Sequence, residues 1–416
     1  MVEPKSSAIF IPAAALLVLA PALTAELAQT DNNPAASANF AIADQFQQWY
    51  QNEQDYLASK GIEAAASLTV DYSKNLMGGI STRRDALRSL FDLSITFDLE
   101  TIAQIKNATF FIDAYSINGD DGSEVLTGDA QAFSNIDYSD NRTQIAEAWF
   151  EQTIGNFAYK LGKIDVNGDF AFVESAGEFI NSSAGFSPTI IGFPTYPETA
   201  FGLTLKLLPS EESPYFASLG IYDGSNLRGI RTGLRGPSSF IDNDSDLFLI
   251  TEAGIQWTVQ DQLAGRFAIG VWRYTGDIEY LSKIGHDNNT TGYYGLIEQQ
   301  LYNENDTENQ GLNGFIQFGV ADKNVAEIDR HVGAGLVYTG LLPNRDDDSI
   351  GLMGSYIRLS NPAGVLEDTE FAAELFYKAQ LTQNFSIKPD IQWIANPGGI
   401  DGNDALVSTL RAEISF

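Results

Sequence analysis

The chain has 416 residues, a formal net charge of -31 at pH 7 and no cysteine. The lack of thiols excludes disulfide frameworks, thiolate metal sites and cysteine nucleophiles, and the two histidines, His286 and His331, leave little for a histidine-based centre. The acidic excess argues against a nucleic-acid partner, because binding to phosphate backbones needs clustered Lys and Arg.

The beginning of the chain has the pattern of an export segment. Residues 8–22 read AIFIPAAALLVLAPA, a short apolar run behind Lys5 that ends in small residues. This pattern predicts a signal peptide over residues 1–25, cleaved between about 22 and 28. The alternative is a buried terminal helix, which fits poorly with the polar stretch QTDNNPAASAN that follows.

Residues 26–61 connect this segment to the first predicted strand. They contain a stretch of helical character, residues 41–60, with apolar side chains at helix-like spacing: Phe46, Trp49, Tyr50 and Leu57. We interpret residues 26–61 as a linker with a short helix. A tether to the first strand is the preferred role, and a plug under the barrel mouth is the alternative.

Alternating apolar and polar residues fill the rest of the chain. In FSIKPDIQWIA, residues 385–395, the two residue classes fall on opposite parities, which is typical of a strand with one apolar and one polar face. The same pattern predicts about sixteen strands. They cover roughly 62–72, 87–99, 108–117, 142–153, 156–166, 199–208, 214–223, 246–259, 263–274, 292–302, 311–321, 331–340, 348–359, 370–381, 385–395 and 405–416.

The predicted connections alternate in length. Short ones such as SEES, QDQ and TQN separate long ones at 118–141, 167–198, 224–245 and 275–291. An even-stranded membrane barrel with both termini in the periplasm has this order of short periplasmic turns and long outer loops. A soluble sandwich offers no reason for such sorting.

Alternation alone does not say which face meets water. In a membrane barrel Ile391 and Trp393 face lipid while Lys388 and Asp390 line a wet lumen, whereas a soluble sandwich inverts the two faces. The export segment, the sorted connections, the strand number and the terminal Phe416 together favour the barrel. We predict an all-β fold, a 16-stranded antiparallel transmembrane β-barrel of porin type over residues 62–416, with a short N-terminal helical segment.

Such a barrel is expected in the outer membrane of a Gram-negative-type bacterium. Its expected partners are outer-membrane lipid and lipopolysaccharide around the wall, and the outer-membrane assembly machinery through the C-terminal Phe416. Whether barrels associate into an oligomer stays open at this point.

Several segments also carry a resemblance to a known family. They include AEAWFEQTIGNFAYKLGKID at 146–165, FINSSAGF at 179–186 and, most specifically, AAELFYKAQLTQNFSIKPDIQWIANPGG at 372–399. Over residues 44–416 the chain resembles the carbohydrate-selective porins of the OprB family. It departs from the family pattern at DQFQQWYQNEQDYLASKG, residues 44–61, where a Trp and a Gly-rich stretch are expected.

The resemblance implies facilitated, energy-independent diffusion of small carbohydrates through a water-filled barrel. The alternative within porins is a general or cation-preferring diffusion channel. The resemblance also implies that the loop at 167–198 folds inward and narrows the channel. This loop mixes aromatic and polar residues that suit the apolar faces and hydroxyls of sugars, although the rings are equally suited to anchoring the loop on the wall: Phe170, Phe172, Phe179, Phe186 and Tyr196, with Asp169, Glu174, Glu178 and Asn181.

Charged residues on the polar strand faces, with Trp149 and two acidic loop residues, are candidates for lining the pore and the substrate path. Opposed acidic and basic rows order water and favour hydroxyl-rich solutes. For each residue singly, a solvated wall charge is the competing interpretation. The candidates are Arg88, Glu147, Trp149, Lys160, Glu174, Glu178, Lys206, Glu252, Arg266, Glu374, Lys378, Lys388, Asp390, Arg411 and Glu413.

An enzyme is not expected, because neither histidine lies in a recognisable setting with Ser and Asp. No cofactor is expected either. The acidic loops at 118–124, 241–246 and 344–348 are weak candidates for calcium or magnesium, and NGDDGSE does not have the ligand spacing of an EF-hand. A solvated acidic surface is the preferred interpretation of these loops.

Overall fold

The computed structural model describes residues 50–210, 213–241, 246–260, 262–304, 310–360, 368–400 and 402–416. The predicted signal peptide and residues 41–49 of the predicted helix lie outside the described residues. Residues 50–58 are helical, and the side-chain amide of Gln54 donates to the carbonyl of Ala64 at 2.9 Å, beside the start of the first strand. None of the helices in these ranges is long and apolar enough to cross a bilayer.

Sixteen antiparallel strands close into one barrel, as predicted. They are β1 (Ile62–Met77), β2 (Asp85–Asp98), β3 (Ala108–Gly119), β4 (Arg142–Ile154), β5 (Phe157–Ile164), β6 (Ala200–Leu207), β7 (Tyr215–Asp223), β8 (Leu247–Val259), β9 (Leu263–Tyr274), β12 (Thr290–Asn303), β13 (Gly311–Val320), β14 (Ile328–Thr339), β15 (Ser349–Leu359), β16 (Thr369–Thr382), β17 (Phe385–Ala395) and β18 (Ala405–Ser415). A small hairpin outside the barrel, β10 (Ile278–Glu279) with β11 (His286–Asp287), was not predicted.

The barrel closes where the first strand pairs with the last. Ser67 lies opposite Ser415, and the amide of Phe416 donates to the carbonyl of Ala66 at 2.8 Å. Leu68, Ile414 and Phe416 belong to one apolar cluster at this seam. Because closure pairs every strand on both sides, no edge is left to be satisfied inside a membrane.

The two faces of each strand differ as a membrane barrel requires. On β17, Ile391 and Trp393 are 39% and 41% exposed on the outer wall, whereas Lys388 and Asp390 are buried inside the barrel. Exposed aromatic residues at strand ends, such as Phe157 and Tyr215, have the positions of an interfacial girdle. The apolar parity therefore faces outward, and the polar parity faces the lumen.

The connections are sorted between the two ends of the barrel. We call the end that carries residues 62 and 416 the terminal rim, and the opposite end the loop rim. The four longest connections, 120–141, 165–199, 224–246 and 275–289, all lie at the loop rim. The terminal rim has shorter turns, such as 155–156 and 383–384.

Part of the barrel interior is a packed apolar core. Phe170 and Phe193, which belong to the 165–199 connection, lie in one buried cluster with the wall residues Phe248 and Trp272. This core holds the connection inside the barrel, between the strands, rather than above them. It thereby sets the position of the residues that line the remaining space.

Candidate functional site

Residues 165–199, which we call the inner loop, follow the inner wall and are fastened to it by carboxylates. Glu252 accepts the backbone N–H of Ala171 at 2.8 Å, and Glu298 accepts that of Ser175 at 2.8 Å. Farther round the wall, Glu374 accepts the N–H groups of Ile180 and Asn181 at 2.7 and 3.0 Å.

These anchors come from β8, β12 and β16, so the inner loop crosses a wide arc of the barrel. Each anchor pairs a backbone N–H of the inner loop with a side-chain acceptor of the wall, and a buried N–H left without an acceptor would cost free energy. The loop position is therefore fixed at several points on the wall, which narrows the lumen.

Residues 120–141, which we call the second loop, line the opposite part of the wall. Asp71 receives a bidentate ion pair from Arg411, with distances of 2.7 and 2.8 Å, and a hydrogen bond from Ser134 Oγ at 2.7 Å. Arg88 forms a buried ion pair with Asp137 of the second loop. Charged side chains of β1, β2 and β18 thus hold this loop.

The two loops also contact each other inside the barrel. The amide of Asn135 donates to the carbonyl of Ile180 at 2.6 Å, and the amide of Ser182 donates to the carbonyl of Ala132 at 2.9 Å. The two loops are therefore joined to each other as well as to the wall.

A buried histidine connects the two loops a second time. His331 lies between Ser187 of the inner loop and Ser355 of β15, with ring nitrogen to hydroxyl distances of 3.1 and 3.0 Å. Ser355 in turn donates to the side chain of Gln131 in the second loop. His331 therefore has a structural role between the loops.

One cluster of the predicted charges lies on β5 and β6. Lys160 and Lys206 contact Asp169 of the inner loop at 2.9 and 2.6 Å, and Lys206 also contacts Glu151 at 2.8 Å. Burial raises the pKa of Asp169, but the two ammonium groups outweigh it and hold this pKa below its ordinary value. The cluster keeps the start of the inner loop on the wall.

Glu147 and Trp149 lie beside this cluster. The indole N–H of Trp149 donates to Glu147 at 3.0 Å, and the ammonium group of Lys160 lies 4.5 Å from the indole centroid. Gly162 on the neighbouring strand makes room for Trp149: its φ is 145°, and a Cβ there would lie 2.6 Å from the Trp149 Cα.

A second cluster lies on β16, β17 and β18. Glu178 of the inner loop contacts Lys378 at 2.8 Å and Lys388 at 2.9 Å, and Glu413 lies 3.6 Å from Lys378. Burial raises the pKa of Glu178, but the neighbouring ammonium groups of Lys388 and Lys378 lower it to about 2. Glu178 therefore stays ionised over the physiological pH range. Asp390 lies close by and accepts from the amide of Gln392 at 3.2 Å.

A cavity of about 720 Å³ remains below the inner loop. Glu174 and Glu178 border it from the loop, and Arg266 and Glu298 border it from the wall. Glu174 is exposed to this space. We call this space the main cavity.

The comparison with protein families decides what kind of barrel this is. The model of the carbohydrate-selective porin family OprB matches residues 84–416. The chain belongs to the OprB family of porins. It is accordingly an outer-membrane protein of the Gram-negative type.

Known relatives are similar in sequence to this porin over most of its length. Porin B of Pseudomonas aeruginosa is 24% identical over 399 residues, which cover 85% of this chain and 86% of the relative. The putative porin QuiX of Acinetobacter baylyi is 22% identical over 424 residues and 94% of its own length. The structure of Pseudomonas putida OprB at high pH has a TM-score of 0.78 at 21% identity, covering 88% of this chain and 97% of that one. At this identity the structure supports the fold alone.

The structure gathers most of the predicted site residues of this porin into groups. Lys160 and Lys206 share Asp169, whereas Glu178, Lys378, Lys388 and Glu413 meet across the lumen wall. Glu252 and Arg266 lie 3.8 Å apart on β8 and β9. Arg88 and Arg411 hold the second loop and are buried, so they lie away from the main cavity.

Sequence reasoning missed several residues that hold the loops. Asp71, Glu151 and Glu298 lie on polar strand faces and have the same parity signal as the residues that were chosen. Glu370, which accepts the backbone N–H of Ala130 at 2.8 Å, was missed at the edge of a strand.

The aromatic residues of the inner loop fall into two classes. Phe170 and Phe179 are almost fully buried and pack against the wall, with ring centroids of Phe179 and Phe376 5.0 Å apart. Phe172 is different, because 39% of it is exposed. Most of these rings are therefore anchors, and Phe172 is available to solutes.

Among the described residues, no group of three or more His, Asp or Glu side chains has a metal-binding arrangement. In the 118–124 loop, Asp120 and Asp121 accept backbone N–H groups of Leu87 and Glu124 at 3.2 and 3.0 Å. In the 344–348 loop, Asp348 pairs with Arg345 at 2.7 Å. Residues 242–245 of the third acidic loop lie outside the described residues.

Proposed function

We propose that this porin passes small carbohydrates across the outer membrane by facilitated diffusion, without chemistry, cofactor or energy source. Membership of the OprB family, and similarity to the relative named Porin B, support a porin function. The observation that carries the proposal is the main cavity, where hydrogen-bonding side chains of opposite charge face one open space. Such a surface replaces part of the hydration of a hydroxyl-rich solute.

The pore-lining set predicted from the sequence is part of this proposal. Glu174, Glu178 and Arg266 border the main cavity directly. Lys206 and Trp149 are partly accessible and lie closer to the start of the inner loop. The remaining members act through the position of the loops.

The apolar outer wall supports contact with outer-membrane lipid and with lipopolysaccharide. We also propose that the assembly machinery recognises the C-terminal strand through Phe416, which is accessible in part at the terminal rim. One chain closes the channel by itself.

The test is sugar permeation by the purified porin in detergent-free membranes. Liposome swelling in glucose, and block of the single-channel current by glucose in a planar bilayer, are expected to be saturable. Swelling by glucose with no block at any concentration would contradict facilitated diffusion. A boiled sample gives the control for leakage.

A general, cation-preferring channel is the second candidate, and the charge balance of the main cavity favours it. Glu174, Glu178 and Glu298 border this cavity against Arg266 as the bordering cation. We expect a reversal potential of cationic sign in a salt gradient whichever candidate holds. Cation preference without sugar block would make the second candidate the function.

A further inference from the structure

A groove of about 620 Å³ lies on the outer wall of the barrel, across β12–β16. Its floor consists of small residues on three neighbouring strands, Gly314 of β13, Ala334 of β14 and Gly354 of β15. Larger side chains lean over this floor: a Cβ at Gly314 would lie 2.9 Å from Leu336, and a Cβ at Gly354 would lie 3.2 Å from Phe371. We call this concave surface the outer groove.

The concave shape favours a flexible chain over a second barrel as the occupant. The wall of another barrel is convex and would bridge the groove without filling it, which leaves the atoms of the floor without contacts. The acyl chain of a lipid bends into such a space. Because lipid tails are as apolar as the side chains of the groove, the acyl chain gains packing contacts rather than a hydrophobic driving force. A preference for one kind of lipid must therefore come from polar groups nearby.

The charged groups near the outer groove are arginines at the loop rim. Arg273 of β9, Arg330 of β14 and Arg358 of β15 have outward side chains by strand parity, since each lies two positions from an exposed apolar residue. At the terminal-rim ends of the same part of the wall the outward residues are tyrosines, such as Tyr302 and Tyr338. The chain has a net charge of -31, so these arginines are a local reversal of sign. They lie on the side of the outer leaflet, because the long loops of such barrels are extracellular.

One of these arginines is free to bind an anion. Arg330 and Arg358 lie opposite each other, four residues along their strands from Ala334 and Gly354, which is about 13 Å at the rise of a strand. Arg358 is engaged by the buried Asp329, with an Nε to carboxylate distance of 2.7 Å. Arg330 is exposed, and its guanidinium has no ion pair or hydrogen bond with the residues that the structure describes. An uncompensated positive charge thus lies between the outer groove and the loop rim.

The phosphate groups of outer-leaflet lipids are the anions at this height of the wall. A planar guanidinium matches the oxygens of a phosphate with two parallel hydrogen bonds, and it is more weakly hydrated than an ammonium group. Lipopolysaccharide carries phosphate groups on the sugars that bear its acyl chains. A single molecule therefore supplies both a chain for the groove and an anion for Arg330.

We propose that the outer groove and Arg330 form a binding site for the phosphorylated lipid A part of lipopolysaccharide. One acyl chain fills the groove over Ala334 and Gly354, and a phosphate group accepts hydrogen bonds from the guanidinium of Arg330. The inference gives a place to the contact with lipopolysaccharide that belongs to the proposed function. It does not depend on which solute passes through the lumen.

The experiment titrates the purified, lipid-free porin in detergent with bisphosphorylated lipid A, and separately with lipid A from which both phosphate groups were removed. Native mass spectrometry measures the fraction of porin that carries one lipid. The wild type is expected to bind the bisphosphorylated lipid about five-fold more tightly, the equivalent of one arginine at a membrane surface. Arg330→Gln is expected to remove most of this difference.

Two variants elsewhere on the outer wall are matched controls. Lys74→Gln removes another outward cation near the loop rim, but β1 lies five strands from β14 in the barrel, so the affinity for lipid A is expected to stay unchanged. Ala334→Leu fills the floor of the outer groove and is expected to lower the affinity for both lipids about three-fold, the equivalent of a few lost dispersion contacts. Its control is Ala253→Leu, at an exposed position of β8 that does not border the groove.

The outcomes distinguish the lipid site from a second copy of the chain and from the proposed function. Equal affinity of the wild type for the two lipids, or equal binding by Arg330→Gln and Lys74→Gln, overturns the phosphate contact. If the wild type forms an oligomer that Ala334→Leu abolishes, a second copy occupies the groove and the lipid site is overturned. Absence of sugar block in the bilayer would overturn the proposed function and leave this site standing. Arg330 and Ala334 are exposed on the outer wall, so both variants are expected to fold, which heat-modifiable migration checks.

Discussion

The inner loop and the second loop lie in the same barrel but are held by different chemistry. Wall carboxylates fasten the inner loop by accepting its backbone N–H groups at Ala171, Ser175 and Ile180. The second loop is held by the buried ion pair of Arg88 with Asp137, and by hydrogen bonds of Ser134 and Asn135 to the paired wall residues Asp71 and Arg411. Because the inner loop has anchors on several strands, it is expected to keep its position when one anchor is lost. The position of the second loop depends more strongly on the two residues of a buried ion pair.

The difference also concerns the cost of losing a partner. A buried charge that loses its counter-ion is strongly destabilising, because it has been removed from water without compensation. A backbone N–H that loses its acceptor costs the desolvation of one neutral group. The second loop is therefore expected to be the more sensitive of the two to single substitutions.

The largest effect is expected from Arg411→Ala. The variant leaves Asp71 buried without its bidentate partner, with Arg88 at 3.8 Å as the remaining cation, and the free energy of unfolding is expected to fall by about 3–5 kcal/mol. Urea titration of the porin in detergent, followed by heat-modifiable migration, measures the change. The double variant Asp71→Asn with Arg411→Met is the control and is expected to recover most of the loss. Equal destabilisation of the single and double variants would contradict the importance of the ion pair.

A smaller effect is expected from Glu374→Ala. It removes the acceptor for the amides of Ile180 and Asn181, and the free energy of unfolding is expected to fall by about 1–3 kcal/mol. Because this anchor holds the inner loop on β16, its loss is expected to increase the single-channel conductance or the fluctuations of the open-channel current.

Glu374→Gln is the matched control for this anchor. Its amide oxygen still accepts one of the two N–H groups, so an intermediate phenotype is expected. A channel with wild-type conductance and noise in Glu374→Ala would show that the other anchors alone hold the inner loop.

The sequence alone predicted the strands and faces of the barrel wall, but it did not predict how the loops are held inside the barrel. Each strand carries its own alternation, so the positions and the faces of residues such as Ile391 and Lys388 followed from local pattern. The strand ends were predicted less well. β1 continues to Met77, beyond the predicted end at residue 72, where Lys74 interrupts the apolar parity of the outer face.

The loop anchors depend on contacts between residues far apart in the chain. A carboxylate on the polar face, such as Glu374, has the same sequence pattern whether it meets water or a backbone N–H of the inner loop. The resemblance to porins implied the inward fold of residues 167–198, but nothing in the sequence indicated that the second loop also enters the lumen. The role of His331 between the loops was hidden for the same reason.

The smallest expected effect distinguishes the loops by pH. Burial raises the pKa of Asp137 to about 7 despite the adjacent Arg88 guanidinium, whereas the pKa of Glu178 is about 2. With a raised pKa the native state binds more protons than the unfolded state, so Asp137 adds stability as the pH falls through 7. From about pH 8 to about pH 6 this contribution amounts to about 1 kcal/mol.

The measurement is the free energy of unfolding of each variant relative to the wild type at these two pH values. The difference between the wild type and Asp137→Asn is expected to change by about 1 kcal/mol, because the variant lacks the titrating group. The difference between the wild type and Glu178→Gln is expected to stay constant, since Glu178 is ionised at both pH values and titrates only near 2. A constant difference for Asp137→Asn would mean that its carboxylate is ionised at both pH values, as that of Glu178 is.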